Sequence, residues 1–229
     1  MIRVRVKVFG DFACFTRSDV RLDRVSYDVP TPSACRGILE AIYCKPIEFW
    51  YEMRKIHILN PIDYVDIMKN EVSQKGSVTN GMEPIDVDKV RTQRHSYYLR
   101  NVAYILEADI HVRESYNPNV PMKQREKKIQ HEFERRVSRG KCFAQPYLGT
   151  RECMCFFEPV DGTEEPLQDL DDLDLGVMLY DVFNPENMEP LNTDKKAYFN
   201  PINVSYYCPR IVNGVIEIPA YNSDEILKV

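Results

Sequence analysis

The sequence predicts an α+β fold: a ferredoxin-like antiparallel sheet with a further antiparallel β region added at the C-terminal end. Three observations carry this prediction. Apolar residues alternate with polar ones near the start, at Ile2, Val4, Val6 and Val8, and again over residues 97–112. Two helix-period segments each follow one of those strands. The last third holds short strand-like runs, with Asn213-Gly214 between two of them as a hairpin signal.

In chain order, residues 2–8 form a strand with one apolar and one basic face, the latter made by Arg3, Arg5 and Lys7. Pro30-Thr31-Pro32-Ser33 breaks the chain, and Thr31 or Ser33 can cap the helix that follows. Its buried stripe is expected at Ala34, Ile38, Ala41 and Ile42. It should end near Tyr43, because Lys45-Pro46 disfavours continuation. Strands are expected at 53–59 and 62–68. A polar loop with Gly76 and Asn80-Gly81 covers 69–90. The strand at 97–112 leads to a second helix over 122–139 and a strand over 151–158. An acidic loop fills 161–174, and strands at 175–183, 205–212 and 215–219 end the chain. The order β-α-β, extra strands, α-β matches a ferredoxin-like sheet. The expected organisation is a main unit over 1–158 and a small β region over 159–229.

The chain has 229 residues, 44% hydrophobic and 28% charged, which is a globular composition able to bury a core. Its net charge is −5, but the charge is segregated. Residues 121–141 hold eight Lys or Arg and three Glu, whereas residues 161–174 hold seven Asp or Glu and no base. A phosphate backbone responds to a local basic patch rather than to net charge. No signal-peptide core opens the chain and no apolar run approaches membrane-spanning length. With seven irregularly spaced cysteines, a cytoplasmic protein with reduced thiols and no membrane partner is expected. Cys153 and Cys155 would face one way on a strand, as a zinc pair does. No second ligand pair stands out, so neither metal nor cofactor is expected.

On a helical wheel at about 100° per residue, Ile129, Phe133 and Val137 make the core stripe of the second helix. Lys128, His131, Arg135 and Arg139 gather on the opposite side, with Glu132 among them and Arg136 at the border. Such a stripe can engage several phosphates, or be an ordinary solvated face with internal Glu–Arg pairs. The basic face of the first strand has the same two readings. Gly140-Lys141-Cys142-Phe143 and Tyr147-Leu148-Gly149-Thr150-Arg151 follow the helix. Their glycines would let backbone approach a phosphate, and Phe143 or Tyr147 would stack on a base or join the core.

Three stretches then resemble a known family. The first is Ser26-Tyr27-Asp28-Val29-Pro30-Thr31-Pro32-Ser33-Ala34, continuing through Arg36-Gly37-Ile38-Leu39-Glu40-Ala41-Ile42-Tyr43 and Lys45-Pro46. The second is Leu99-Arg100-Asn101-Val102-Ala103-Tyr104. The third is Phe133-Glu134-Arg135-Arg136, Gly140-Lys141-Cys142-Phe143, Gln145-Pro146-Tyr147-Leu148-Gly149 and Arg151-Glu152. Together they resemble the subtype I-C (Dvulg) branch of the fifth family of CRISPR-associated proteins, within the RAMP superfamily of ferredoxin-like RNA-binding proteins. The resemblance runs from Ile2 to about Glu158.

The resemblance implies an endoribonuclease that binds the repeat hairpin of precursor CRISPR RNA and cuts at its base without a metal. It then remains with the product, alongside the other Cas proteins of the type I-C interference complex. A monomer is expected before assembly. Without a metal, the RNA's own 2′-OH is the natural nucleophile. The protein must align it, remove its proton, stabilise the phosphate charge and protonate the leaving 5′-oxygen. The family uses a Tyr after the first helix and a Lys-His pair near the second. Tyr43 and Lys128 match, but Ile129 stands where the imidazole belongs. His131, three residues after Lys128, is the candidate substitute. Expected RNA contacts are Arg3, Arg5, Arg36, Lys45, Arg135, Arg136, Arg139, Lys141, Tyr147 and Arg151. The alternative is a non-catalytic subunit that anchors the 5′ handle of mature CRISPR RNA. A contact with target DNA inside the complex is compatible with either.

Overall fold

In a computed structural model of the chain, residues 2–20, 23–74, 85–168, 170, 172–182, 184 and 204–228 are described. Strand β1 covers Ile2–Ala13, and its alternation buries Val4, Val6 and Val8 while Arg3 and Arg5 point outward. A two-residue strand, β2 (Arg24–Val25), precedes helix α1 (Pro32–Ile42). The Thr31 hydroxyl accepts from the Ala34 N–H at 3.2 Å, so the first turn is capped as its sequence suggests. Strands β3 (Phe49–Ile58) and β4 (Tyr64–Val72) follow. A one-turn helix α2 (Val87–Val90) leads into the 22-residue strand β5 (Arg91–Val112). Helix α3 (Met122–Ser138) and the short strand β6 (Phe156–Glu158) complete the main unit.

The sheet order β6-β1-β5-β3, all antiparallel, is that of a ferredoxin-like fold. Both long helices cover one face. Tyr51, Ile56, Leu106, Phe133 and Leu39 lie fully buried beneath them. Each such side chain is worth about 1.5–3 kcal/mol relative to exposure. The first half of β5 runs beyond this core. There it pairs with β4 on one edge and with β2 on the other, both at Ser96. No residue of β4 is fully buried, but Val65 and Ile67 pack partly against the core, so this hairpin forms an arm at the core's margin.

The C-terminal region splits between two sheets. β7 (Leu173–Asp174), β10 (Arg210–Val212) and β11 (Val215–Glu217) extend the main sheet beyond β3 in the order β3-β11-β10-β7. The strands β8 (Met178–Asp181), β9 (Ser205–Tyr207) and β12 (Leu227–Lys228) form a separate sheet, β12-β9-β8. The hairpin at Asn213-Gly214 forms as expected, with φ of 50° and 71° at the two turn residues.

Four expectations need correction. The strand expected over 205–212 is two strands in different sheets, because Cys208-Pro209 interrupts it and proline has no N–H for a ladder. The strand expected over 151–158 shrinks to Phe156–Glu158. Residues 148–155 instead form a tight loop closed by Leu148 N–H to Cys153 O at 2.8 Å and Cys153 N–H to Thr150 O at 2.9 Å. Gly149, at φ 85°, lets that loop press on the chain just after β1, where a Cβ would sit 2.0 Å from the Cys14 carbonyl oxygen. The polar segment 69–90 is shorter than expected, since β4 continues to Val72 and α2 occupies Val87–Val90. Gly76 and Asn80-Gly81 lie outside the described residues. Finally, the buried side of α1 is Cys35, Arg36, Ile38, Leu39 and Ile42, with Ala34 and Ala41 only half-buried. The helix is covered on a second flank by β8, which the wheel could not anticipate.

Candidate active site and RNA interface

Tyr43 ends α1. Its N–H closes the last turn on Leu39 O at 2.9 Å, and at φ −146° the chain then leaves in an extended direction. The ring is buried (5% exposed) against Phe49, 5.0 Å between centroids. The Arg136 guanidinium from α3 lies 5.0 Å above it. Tyr51 fixes the turn by donating from its hydroxyl to the Tyr43 carbonyl at 2.8 Å. Burial pushes the Tyr43 phenol up, and Glu48 adds to this against Lys45 and Arg136. At neutral pH Tyr43 is therefore a neutral O–H donor, not a base. No described residue hydrogen-bonds its hydroxyl.

Lys128, Glu132 and Arg136 form an i, i+4, i+8 row along α3, so Lys128 shares the flank that presents Arg136 to Tyr43. Arg136 also donates to Glu132 at 3.0 Å and to the Ile42 carbonyl at 3.3 Å. The Lys128 ammonium is exposed and has no acidic partner among the described residues. It reaches the hydroxyl of Tyr116 at 3.4 Å. Lys45 pairs with Glu48 at 2.7 Å, and this pairing raises its pKa. The loop that carries Tyr116 is tied to this segment by the Arg113 N–H donating to Glu48 O at 2.8 Å and by the Arg113 side chain donating to Pro46 O at 2.6 Å.

Ile129 is 1% exposed in the core, and no polar ring could take its place without reaching into apolar packing. His131 faces elsewhere. It lines a cleft of about 700 Å³ on the other flank of α3, together with Arg3, Arg5, Arg135, Arg139 and Asp161. The structure therefore brings Tyr43, Lys45, Lys128 and Arg136 to one side of the helix and places His131 on the other.

The remaining candidates divide by what already holds them. Arg3 pairs with Asp109 at 3.0 Å and Arg5 with Glu107 at 2.8 Å, each across the β1–β5 register. Burial alone would raise the Asp109 carboxyl, but hydrogen bonds from Arg3 and Arg54 hold it below its usual range. The outward face of β1 is thus largely neutralised by β5. Arg36 is buried, with its guanidinium on Asp181 of β8 at 2.9 Å and on Glu40 at 2.9 Å. Arg135 binds Glu132 in a fork at 2.7 and 2.8 Å. Arg139, Lys141 and Arg151 are exposed, and none has an ion pair among the described residues. Gly140, at φ 59°, is the helix C-cap glycine: its N–H returns to Val137 O at 3.1 Å and that of Lys141 to Arg136 O at 2.9 Å. That turn delivers Arg139 and Lys141 to solvent. Tyr147 is exposed beside a cavity of about 350 Å³ that includes Thr31 and Gly37 of α1. Phe143 is exposed as well.

Two site features escaped the sequence. Tyr116 sits in an irregular loop with no periodicity to flag it. Arg125 is buried in α3 and donates to the carbonyls of Arg113 at 3.4 Å, Glu114 at 3.3 Å and Tyr116. Glu152, from the third family-like stretch, accepts from Lys69 at 2.9 Å, Tyr98 at 2.8 Å and Arg24 at 3.3 Å. Lys69 and Tyr98 hold its pKa down to about 2 and tie the β4–β5 arm to the loop after α3, while Arg24 ties β2 to it. Cys153 and Cys155 are both buried but have different neighbours. The first lies 3.4 Å from the Thr150 hydroxyl, and the second donates to the Phe156 carbonyl at 3.5 Å. Among the described residues no cluster of three His, Cys, Asp or Glu side chains could hold a metal. No helix of the described residues is long and apolar enough to cross a membrane.

Comparison with known proteins places this architecture. Residues 4–219 match the family described as CRISPR-associated protein (Cas_Cas5), in its Cas5d branch. A Thermus thermophilus protein named CRISPR pre-crRNA endoribonuclease Cas5d is 40% identical, over 100% of this chain and 96% of that protein. A Mannheimia succiniciproducens protein of the same name is 35% identical over 98% of each. Among solved structures, a CRISPR-associated protein superposes with a TM-score of 0.66 at 22% identity, over 99% of this chain and 96% of that one. A Streptococcus mutans protein of uncharacterised function gives 0.65 at 21% identity, over 99% and 97%, and both confirm the fold. The helix-end tyrosine, the basic α3 and the ferredoxin-like sheet thus lie within a match that spans nearly the whole sequence, and the chain belongs to the Cas5d family of CRISPR-associated proteins.

Proposed function

We propose that this chain is a cytoplasmic endoribonuclease that binds the repeat hairpin of precursor CRISPR RNA and cuts at its base by attack of a 2′-OH on the adjacent phosphorus. The reading rests on full-length identity to two proteins named for that activity. The observation that carries it is the Tyr43 flank of α3, where the Arg136 guanidinium lies over a neutral phenol and Lys128, in the same helix row, offers an ammonium with no acidic partner among the described residues. The cations supply charge stabilisation for the crowded phosphate, and the protonated Tyr43 hydroxyl suits protonation of the leaving 5′-oxygen. Arg139, Lys141 and Arg151 are the cations free to take phosphates, with Arg135 and His131 beside them and Tyr147 as a stacking ring. Arg36 serves the fold in this reading. The product stays bound, and the protein enters the type I-C interference complex with it.

The test is cleavage of the cognate repeat RNA in EDTA by wild type, Tyr43→Phe and Lys128→Ala. Cutting by wild type, with each variant slowed by roughly 10²–10⁴-fold, is the expected result. Salt-sensitive binding without cutting would favour the second reading, a subunit that anchors the 5′ handle of mature CRISPR RNA. One observation speaks for it: the position expected to carry an imidazole is the core residue Ile129.

A further inference from the structure

The Tyr43 flank holds a second phenol whose surroundings set it apart. Tyr116 lies in the connection between β5 and α3, and its ring packs at the margin of the core. The loop carrying it has little apolar content of its own. A buried arginine organises it instead: Arg125 donates to the carbonyls of Arg113, Glu114 and Tyr116, and the Tyr116 N–H turns back to Arg113 O at 3.1 Å. Burying a guanidinium costs free energy that these hydrogen bonds must offset. The return is one fixed loop conformation, in which the Tyr116 hydroxyl meets the Lys128 ammonium at 3.4 Å. Among the described residues, Tyr116 is the phenol of this flank that accepts from an ammonium.

Within the proposed reaction, we infer that Tyr116 is a catalytic residue, the group that takes the proton from the attacking 2′-OH in place of the absent imidazole. With Tyr116 entering the step as its phenolate, the O2′–H proton passes to the Tyr116 oxygen as the O2′–P bond forms. The P–O5′ bond breaks, and the 5′-oxygen takes the Tyr43 proton. The products are a 2′,3′-cyclic phosphate and a 5′-hydroxyl, and solvent then takes a proton from Tyr116 and returns one to Tyr43. Lys128 stabilises negative charge on Tyr116 before transfer and on the phosphate during it. The two tyrosines divide the work because their surroundings differ: one is buried under an aromatic–guanidinium stack and the other lies at an ammonium.

The inference rests on the nuclease reading, and the experiment separates the two. Single-turnover cleavage of the repeat hairpin is measured for wild type, Tyr43→Phe and Tyr116→Phe, with an ordinary substrate and with one bearing sulfur in place of the leaving 5′-oxygen. A thiolate leaves without protonation, so the sulfur substrate has no need of a general acid. Tyr116→Phe keeps the ring and its packing. It should bind a 2′-deoxy, uncleavable repeat as wild type does, yet cut roughly 10²–10⁴-fold more slowly on both substrates. Tyr43→Phe should be slow on the oxygen substrate and largely rescued on the sulfur one. Full activity of Tyr116→Phe, or its rescue by sulfur, overturns the assignment while leaving the nuclease reading intact. A wild type that cuts neither substrate overturns both.

Discussion

The two flanks of α3 carry similar numbers of cations and differ in what already satisfies them. On the His131 side, Arg3, Arg5 and Arg135 each have a carboxylate partner, and only Arg139 and the imidazole are free among the described residues. On the Tyr43 side, the Lys128 ammonium has no carboxylate, and the Arg136 guanidinium sits on a ring as well as on Glu132. Paired arginines form a surface that is rigid and nearly neutral. An ammonium whose partner is a single phenol keeps its charge available to an incoming phosphate. Basic residues counted along a helix therefore do not report where chemistry happens; their partners do.

Three changes would break or sharpen that contrast. The largest effect is expected from Phe133→Ala. This ring lies under α3 against Tyr51 and holds both flanks at once. Its loss should cost about 3–5 kcal/mol in a urea titration and abolish binding and cutting together. A variant that loses only one function would show that the flanks are supported independently. Next, Arg139→Ala and His131→Ala should weaken repeat binding while leaving the single-turnover rate at saturating protein near wild type. For Arg139→Ala, the slope of log affinity against log salt should fall by about 1, as one phosphate contact is lost. A drop in the saturated rate of His131→Ala would return the imidazole to the chemistry. The smallest effect concerns Glu152. Its carboxyl is held at about 2, below the unfolded value near ~4.3, so the stability it contributes is full above the latter. It fades as pH falls towards about 2. The stability difference between wild type and Glu152→Gln should shrink across that interval, and a constant difference would show that the carboxylate's charge is not what ties the arm.

Much of the fold was legible because it follows from local periodicity. The alternation in β1 and β5, the cap at Thr31 and the Asn213-Gly214 turn are all short-range signals. What was not legible depends on neighbours distant in sequence. Arg36 reads as a surface cation beside a conspicuous motif, yet Asp181, far along the chain, draws it inside. Pro209 divides a run of apparent strand because the two halves have different partners waiting. The wheel correctly set Lys128 and His131 opposite the core, but the two lie roughly 60° apart around the axis. That separation sends one to Tyr116 and the other to Arg3 and Arg5. Tyr43 was found through motif likeness, whereas Tyr116 had no pattern to mark it.

Strand β5 links these regions in a way that bears on how the molecule responds to mutation. At ~3.3 Å per residue its 22 residues run for about 70 Å, from the tip-side of the arm to the middle of the core. The arm is thus an extension of the same strand that carries β1 and β3, held also by Glu152 and β2. Its twist and tilt are set by the core's geometry, and a load on the arm is borne by core hydrogen bonds. Removal of one residue near Gln93 would turn Arg91 and Thr92 over relative to Val72 and Glu71, without disturbing Tyr97, Leu106 or Ile110. A single deletion there would invert the end of the arm and leave its mounting intact.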